Sequence, residues 1–151
     1  ITLNGKITPE KREGLNERLE KIGFTIINDR KGQLIEQIKN LVIEAIHYTG
    51  PMEKVKWPEY LSDGLHLDYK YLSSLFSAVE SITLEQYIIN QKIEKIKEFL
   101  VYDELGLKEI AFQLDYSSVA YLSNQFKKVT GMTPTQFKKS AIQNRISLDD
   151  I

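Results

Sequence analysis

Four lysines and no acid lie between Val119 and Ser140: Lys127, Lys128, Lys138 and Lys139. Ammonium groups gathered this way suit a polyanion, because cations that neutralise phosphates release condensed counterions. An amide such as Asn124 beside them can pair with the edge of a base. The stretch from Glu59 to Ile88 has the opposite character, with Glu59, Asp63, Asp68, Glu80 and Glu85 against Lys70, a local −4. Over all 151 residues, 20 Lys and Arg oppose 21 Asp and Glu, a net charge of −1. The field of the whole chain therefore does not announce a nucleic-acid ligand. The segregation of charge along it carries the information. The lysines have an ordinary alternative role as solubility charges.

Other chemistries lack their parts. No cysteine is present, which removes disulfides, thiolate metal sites and cysteine nucleophiles and fits a reducing compartment. His47 and His66 stand 19 apart with no further ligands at useful spacing, so no metal site is expected. There is no Gly-rich phosphate loop, nucleophile elbow or acid–base dyad, and neither an enzyme nor a cofactor is expected. Trp57 reads as a core plug before Pro58. At 42% apolar and 27% charged residues the chain is that of a folded protein. No apolar run approaches the ~18 residues of a membrane span, and no secretory or lipidation signal is visible. The chain opens on Ile1 rather than Met, which leaves room for residues upstream.

The elements that must position the candidate residues follow from periodicity. Residues 1–28 read strand, helix, strand: Ile1–Leu3, a helix opened by Thr8-Pro9 and closed by Gly23, then Phe24–Ile27. So small a unit leaves open strand edges, which predicts pairing with missing residues or with a second subunit. Asn28–Gly32 is polar and turn-rich, an expected boundary. Beyond it the pattern is helical. An apolar stripe of Leu34, Ile38, Leu41 and Ala45, flanked by Ile35, Val42 and Ile46, is broken at Gly50-Pro51. Helices are predicted near 58–65, 68–80, 84–101, 107–114 and 118–130, with a last one opened by Thr133-Pro134.

The strongest signal is a repeat at an offset of 50. YLSSLFSAVESITLEQY (Tyr71–Tyr87) lies over YLSNQFKKVTGMTPTQF (Tyr121–Phe137), with seven of 17 positions identical. Tyr69, Leu72, Phe76 and Val79 repeat as Val119, Leu122, Phe126 and Val129, the expected core stripe of each copy. Each copy reads as a short helix, a tight turn and a longer helix, a helix-turn-helix whose second helix keeps one stripe for the major groove. In the second copy that stripe is Ser117, Ala120, Tyr121, Asn124 and Lys128, flanked by Lys127. In the first it is Lys70, Tyr71, Ser74, Ser77 and Ala78. Tyr71 and Tyr121 suit either phosphate contact or packing on the connecting helix. That connecting helix, about 18 residues and so roughly 27 Å long, approaches the ~34 Å between successive major grooves on one face of DNA.

On these residues, and above all on EIAFQLDYSSVAYLSNQFKKVTGMTPTQF, the stretch from Leu34 to Lys139 resembles the AraC-type (AraC/XylS) DNA-binding domain. The resemblance implies a mainly α fold of seven helices, with two helix-turn-helix motifs (about 58–80 and 107–130) joined by a linker helix (about 84–101). The sequence departs from the family pattern in four places. Asp115 and Ser81 stand where glycines are usual, Asn124 where arginine is common, and Lys92 and Ile96 where the linker helix usually has Arg and Ala. ITLNGKITPEKREGLNERLEKIGFTII resembles half of a ferredoxin-like, heavy-metal-associated domain without its CxxC loop, an input domain over residues 1–30. The DNA-binding domain is then expected over 34–140 and a tail over 141–151.

The function expected is that of a sequence-specific transcription regulator bound to double-stranded promoter or operator DNA. Lys70, Tyr71, Ser74, Ser77, Ser117, Ala120, Tyr121, Asn124, Lys127, Lys128, Lys138 and Lys139 are its candidate contacts. The resemblance further implies RNA polymerase as a partner, an effector acting through the N-terminal domain, and a bacterial, cytoplasmic, nucleoid-associated location. The open strand edges imply self-association. The competing reading is a helical protein-interaction module whose acidic first motif no longer touches DNA. A DNA-repair alkyltransferase built on the same kind of domain needs a reactive cysteine, which this chain lacks.

Overall fold

A computed structural model of the chain describes residues 29–48, 55–103 and 105–149, with side chains as far as Asn144. The expected strands Ile1–Leu3 and Phe24–Ile27, and the input domain they belong to, lie outside the described residues. The chain divides into two compact units, Ile1–Gln37 and Ile38–Ile151. Helix α1 runs over residues 29–43 and ends in a π-helical turn, Glu44–Tyr48. The polar turn expected at 28–32 is corrected here, because residues 29–32 are already helical. An interior Gly32 costs only about 1 kcal/mol relative to alanine. Burying Ile35, and then Ile38, Val42, Ala45 and Ile46, outweighs that.

Six further helices complete the described residues: α2 (Trp57–Leu65), α3 (Tyr69–Glu80), α4 (Leu84–Tyr102), α5 (Leu107–Gln113), α6 (Val119–Thr130) and α7 (Pro134–Asp149). The segment expected as a C-terminal tail thus continues α7 as far as Asp149. No strand occurs among the described residues, and no helix there is long and apolar enough to cross a membrane. Helix α4 is the spine, packing on the π turn of α1 and on α3, α6 and α7. The short helices pair locally, α2 with α3 and α5 with α6. Gly64 lets α2 approach α1 closely, since a Cβ there would meet Leu41 Cδ1 at 3.0 Å.

The repeat is visible in how each unit is locked. Phe76 and Phe126 are fully buried. Phe76 meets Tyr87 at 5.2 Å between ring centroids, and Phe126 meets Phe137 at 5.6 Å. Each pair binds the second helix of a motif to the helix that follows it, α3 to α4 and α6 to α7. The entry to those following helices repeats as well. Thr83 Oγ1 accepts a hydrogen bond from the Gln86 backbone at 3.0 Å, as Thr133 Oγ1 does from Gln136 at 3.2 Å. Only the second closes into a reciprocal capping box, with the Thr133 backbone donating to Gln136 Oε1 at 2.9 Å. In the first copy Gln86 turns instead to Asn90 Oδ1, at 2.9 Å.

Two core expectations are corrected. Val79 and Val129 are 50% and 39% exposed, not buried. Each sits two residues before a left-handed C-cap, Ser81 or Gly131, so the turn into the next helix leaves one side of it open. Leu75 is buried in the first copy instead. Trp57 is only half-buried. It opens α2 and sets its ring edge-on to Tyr60, at 5.8 Å and 88°.

Truncating either aromatic anchor opens a cavity in a core with little to spare. Phe126→Ala is expected to cost about 3–5 kcal/mol, and Phe76→Ala a similar amount. Urea denaturation followed by far-ultraviolet circular dichroism measures both.

Candidate nucleic-acid interface

Helix α6 begins cleanly. Ser118 is its N-cap, with Oγ accepting from the Tyr121 backbone at 3.0 Å, and Gly131 closes it at φ +83°. One face carries the buried Leu122 and Phe126. On the other side Ser117, Ala120, Tyr121, Asn124, Lys127 and Lys128 are all exposed. The structure brings these six candidates together on one uncovered surface. Lys127 and Lys128 occupy the last turn, where the helix dipole favours cations.

Helix α3 presents the corresponding face of the first motif. Lys70, Tyr71, Ser74 and Ala78 are exposed, and Ser77 is half-buried. Tyr71 and Tyr121 are 49% and 55% exposed, so neither is sealed against the linker helix. The Tyr121 ring rests 6.0 Å from that of Tyr116.

The two remaining lysines part company. Lys139 is exposed, whereas Lys138 is half-buried and ion-pairs with Asp103, the left-handed C-cap of α4. A lysine engaged in this way has less charge to offer a phosphate. Of the acid-free +4, Lys127 and Lys128 lie on α6 itself.

Between the two motifs, above α4, opens a cleft of about 500 Å³. Ile88 and Ile89 of α4 line it, together with Trp57 and Tyr69 on one side and Tyr116 and Tyr121 on the other. Polar groups in it are tied to one another. The Tyr69 hydroxyl donates to Glu85 Oε1 at 2.7 Å. The Lys92 ammonium stands 5.1 Å over the Tyr116 ring, and the Tyr116 hydroxyl donates to Gln125 Oε1 at 2.7 Å. Burial pushes both phenols well above the ordinary tyrosine value, and Glu85 adds to the effect at Tyr69. Burial also pulls the Lys92 ammonium below the usual lysine value, with the Asp115 carboxylate opposing that shift.

Sequence reasoning missed this cluster as a unit. Its one available signal was the spacing of Glu85 and Lys92, seven residues apart and hence on one face of α4. The turn residue Asp115 was legible: it takes φ +59°, a left-handed conformation that Asp tolerates better than most residues. His47 bonds Gln91 Oε1 at 3.0 Å, and His66 is the left-handed C-cap of α2. Among the described residues no group of three His, Cys, Asp or Glu is arranged to hold a metal.

Two helix-turn-helix units on one central helix, each with an uncovered second helix, define a tandem helix-turn-helix protein. A family model described as a helix-turn-helix domain matches residues 61–140, more than half of the chain. The chain belongs to this AraC/XylS-type helix-turn-helix family of DNA-binding domains. It is 32% identical over 100 residues to the xylose operon regulatory protein of Haemophilus influenzae, covering 65% of this chain and 26% of that protein. Among solved structures it is similar to the C-terminal domain of the two-component response regulator yesN from Fusobacterium nucleatum. That likeness has 31% identity and a TM-score of 0.56, covering 68% of this chain and 95% of that one. The fold is also that of the DNA-binding domain of AdpA, a global transcriptional factor solved in complex with a target DNA. There the identity is 16% and the TM-score 0.62, over 74% of this chain and 95% of that one. The chain spans 14–38% of the length of the first three curated relatives it matches.

The caps of α6 generate a local test. Ser118→Ala removes the bond that orders the first turn and is expected to cost about 1 kcal/mol. Gly131→Ala forces a Cβ into the left-handed region and is expected to cost about 1–2 kcal/mol. Thermal denaturation of each variant beside the unmodified chain measures both.

Proposed function

We propose that this chain is the DNA-reading part of a transcription regulator that sets α3 and α6 into successive major grooves of one duplex. One observation carries the reading: Ser117, Ala120, Tyr121, Asn124, Lys127 and Lys128 lie exposed together opposite the buried Leu122 and Phe126. A surface of small polar groups, an amide and two cations fits a groove, with lysines on phosphates and the amide on a base edge. The spine supports the second groove. Nineteen residues of α4 span roughly 28 Å, and the width of the motifs adds to that. The named functions of the relatives point the same way. RNA polymerase, an effector acting through the N-terminal domain and self-association through open strand edges are further partners in this reading.

The motifs share the work unequally. The second is the anchor, because its exposed face carries Lys127 and Lys128 and no acid, and phosphate attraction dominates affinity. The first contributes chiefly readout through Lys70, Tyr71, Ser74 and Ser77. Asn124, central on the α6 face, is the reader, able to pair with adenine through both ends of its amide.

The test uses a duplex selected by the full chain from a random-sequence pool, and a scrambled version of it, across a salt series. Asn124→Ala is expected to cost about 1–3 kcal/mol on the selected duplex and little on the scrambled one. Lys127→Ala should weaken both alike and reduce the salt slope by about one. Lys138→Ala and Ser74→Ala should each matter less, the first because Asp103 already engages that lysine. Equal loss on both duplexes for Asn124→Ala overturns the assignment of reader. Binding with no salt dependence favours a protein-interaction module instead.

A further inference from the structure

The aromatic anchors hold each recognition helix against its neighbour, but apolar burial is non-directional and leaves the tilt of a helix only loosely determined. Hydrogen bonds constrain direction. In this chain a directional contact from each recognition helix reaches one face of α4, directly from α3 and by way of Tyr116 from α6. From α3, the Tyr69 hydroxyl reaches Glu85 at 2.7 Å. Towards α6, Lys92 stands over Tyr116, whose hydroxyl reaches Gln125 at 2.7 Å. Glu85 and Lys92 are separated by two turns and share that face. Between the two sets of contacts lies the cleft of about 500 Å³, so on this side the motifs are tied through α4 across open space.

We propose that Tyr69–Glu85 and Lys92–Tyr116–Gln125 are two struts that set the separation and tilt of α3 and α6. Glu85, Lys92 and Tyr116 are thereby positioning residues that decide which spacing of half-sites the chain accepts. The inference rests on the DNA-reading function proposed above. Neither strut follows from the repeat. Tyr69 and Glu85 correspond to Val119 and Thr135 in the second copy, and Gln125 to Leu75 in the first. The two struts are also unequal. The Tyr116–Gln125 bond is partly buried and the Tyr69–Glu85 bond is exposed, so water competes less with the former. The second motif is accordingly the more rigidly held.

The experiment compares three duplexes in the full chain: the selected one, the same with one base pair inserted between half-sites, and one holding only the half-site of the second motif. The insertion shifts one half-site by about 3.4 Å and about 35° relative to the other. The unmodified chain is expected to lose about tenfold in affinity on insertion. Lys92→Met keeps the aliphatic stem and removes the cation, and Tyr116→Phe removes one oxygen. Each is expected to reduce the insertion penalty to about threefold, with half-site affinity within about twofold of the unmodified chain. Tyr69→Phe should do so less, and Lys92→Arg, which restores a cation over the ring, should keep the full penalty. Melting curves of each variant separate loss of fold from loss of register, and Tyr116→Phe carries the test if Lys92→Met unfolds. An unchanged insertion penalty in Tyr116→Phe overturns the proposal. Equal loss on the half-site duplex overturns it too, because the residue would then act on α6 alone. If the unmodified chain binds no duplex in a salt-dependent way, the DNA-reading function itself fails and this inference falls with it.

Discussion

One contact made twice underlies the domain: a buried phenylalanine on the second helix of each motif against an aromatic ring on the helix that follows. Phe76 meets the half-buried Tyr87 at a tilt and Phe126 meets the half-buried Phe137 edge-on, arrangements worth more than the area they remove from water. Because each pair lies behind the second helix of its motif, the opposite face of that helix is left largely uncovered, Tyr121 against Tyr116 being a contact there. Exposure of Lys70, Tyr71 and Ser74 on α3, and of Tyr121, Asn124 and Lys128 on α6, is a consequence of where the rings sit. A surface that would otherwise be explained by function is thus also demanded by packing.

Short helices of this kind must stop on time, and the chain does so with left-handed residues. His66, Ser81, Asp103, Asp115 and Gly131 all take positive φ, and only the last is a glycine. Side-chain oxygens make the left-handed region tolerable for Asp, and small size makes it bearable for Ser. Each reversal lets a helix end and the next begin within a few residues, which keeps both motifs tight enough to pack on α4. Asp103 does more than stop the helix. Its carboxylate draws Lys138 away from the basic surface, so the charge available to a polyanion is smaller than a count of lysines implies.

The central helix combines two kinds of contact. Its buried residues, Leu84, Ile88, Ile93, Ile96, Phe99 and Leu100, carry the packing of both motifs. Its half-exposed charges do something different. Lys92 stands over Tyr116 and Lys97 pairs with Glu94 at 2.9 Å; off the central helix, Lys39 of α1 pairs with Glu80 of α3 at 2.9 Å. Pairs as exposed as these contribute little to stability individually, about 0–1 kcal/mol each. Those that link two elements, Lys39 with Glu80 and Lys92 with Tyr116, bear on how the helices are oriented.

Much of this was legible in the amino-acid sequence, for a local reason. Helical period and proline and threonine at helix starts are short-range properties, and with the 50-residue repeat they determined the helices, their order and the stripe of each motif's second helix turned away from the core. What only the tertiary structure decided involves partners distant in the chain. Val79 and Val129 fit the apolar stripe yet lie open, because burial at a helix end depends on the turn that follows rather than on period. Trp57 was expected in the core, but α2 begins there and leaves it at the mouth of the cleft. Lys138 read as one of four equivalent cations until Asp103, 35 residues earlier, met it. The cluster of Lys92, Tyr116 and Gln125 was hidden for the same reason, since no spacing rule connects a linker helix to a turn 24 residues on. Periodicity determines which side of a helix faces inward; which charge meets which ring is settled only when the helices pack.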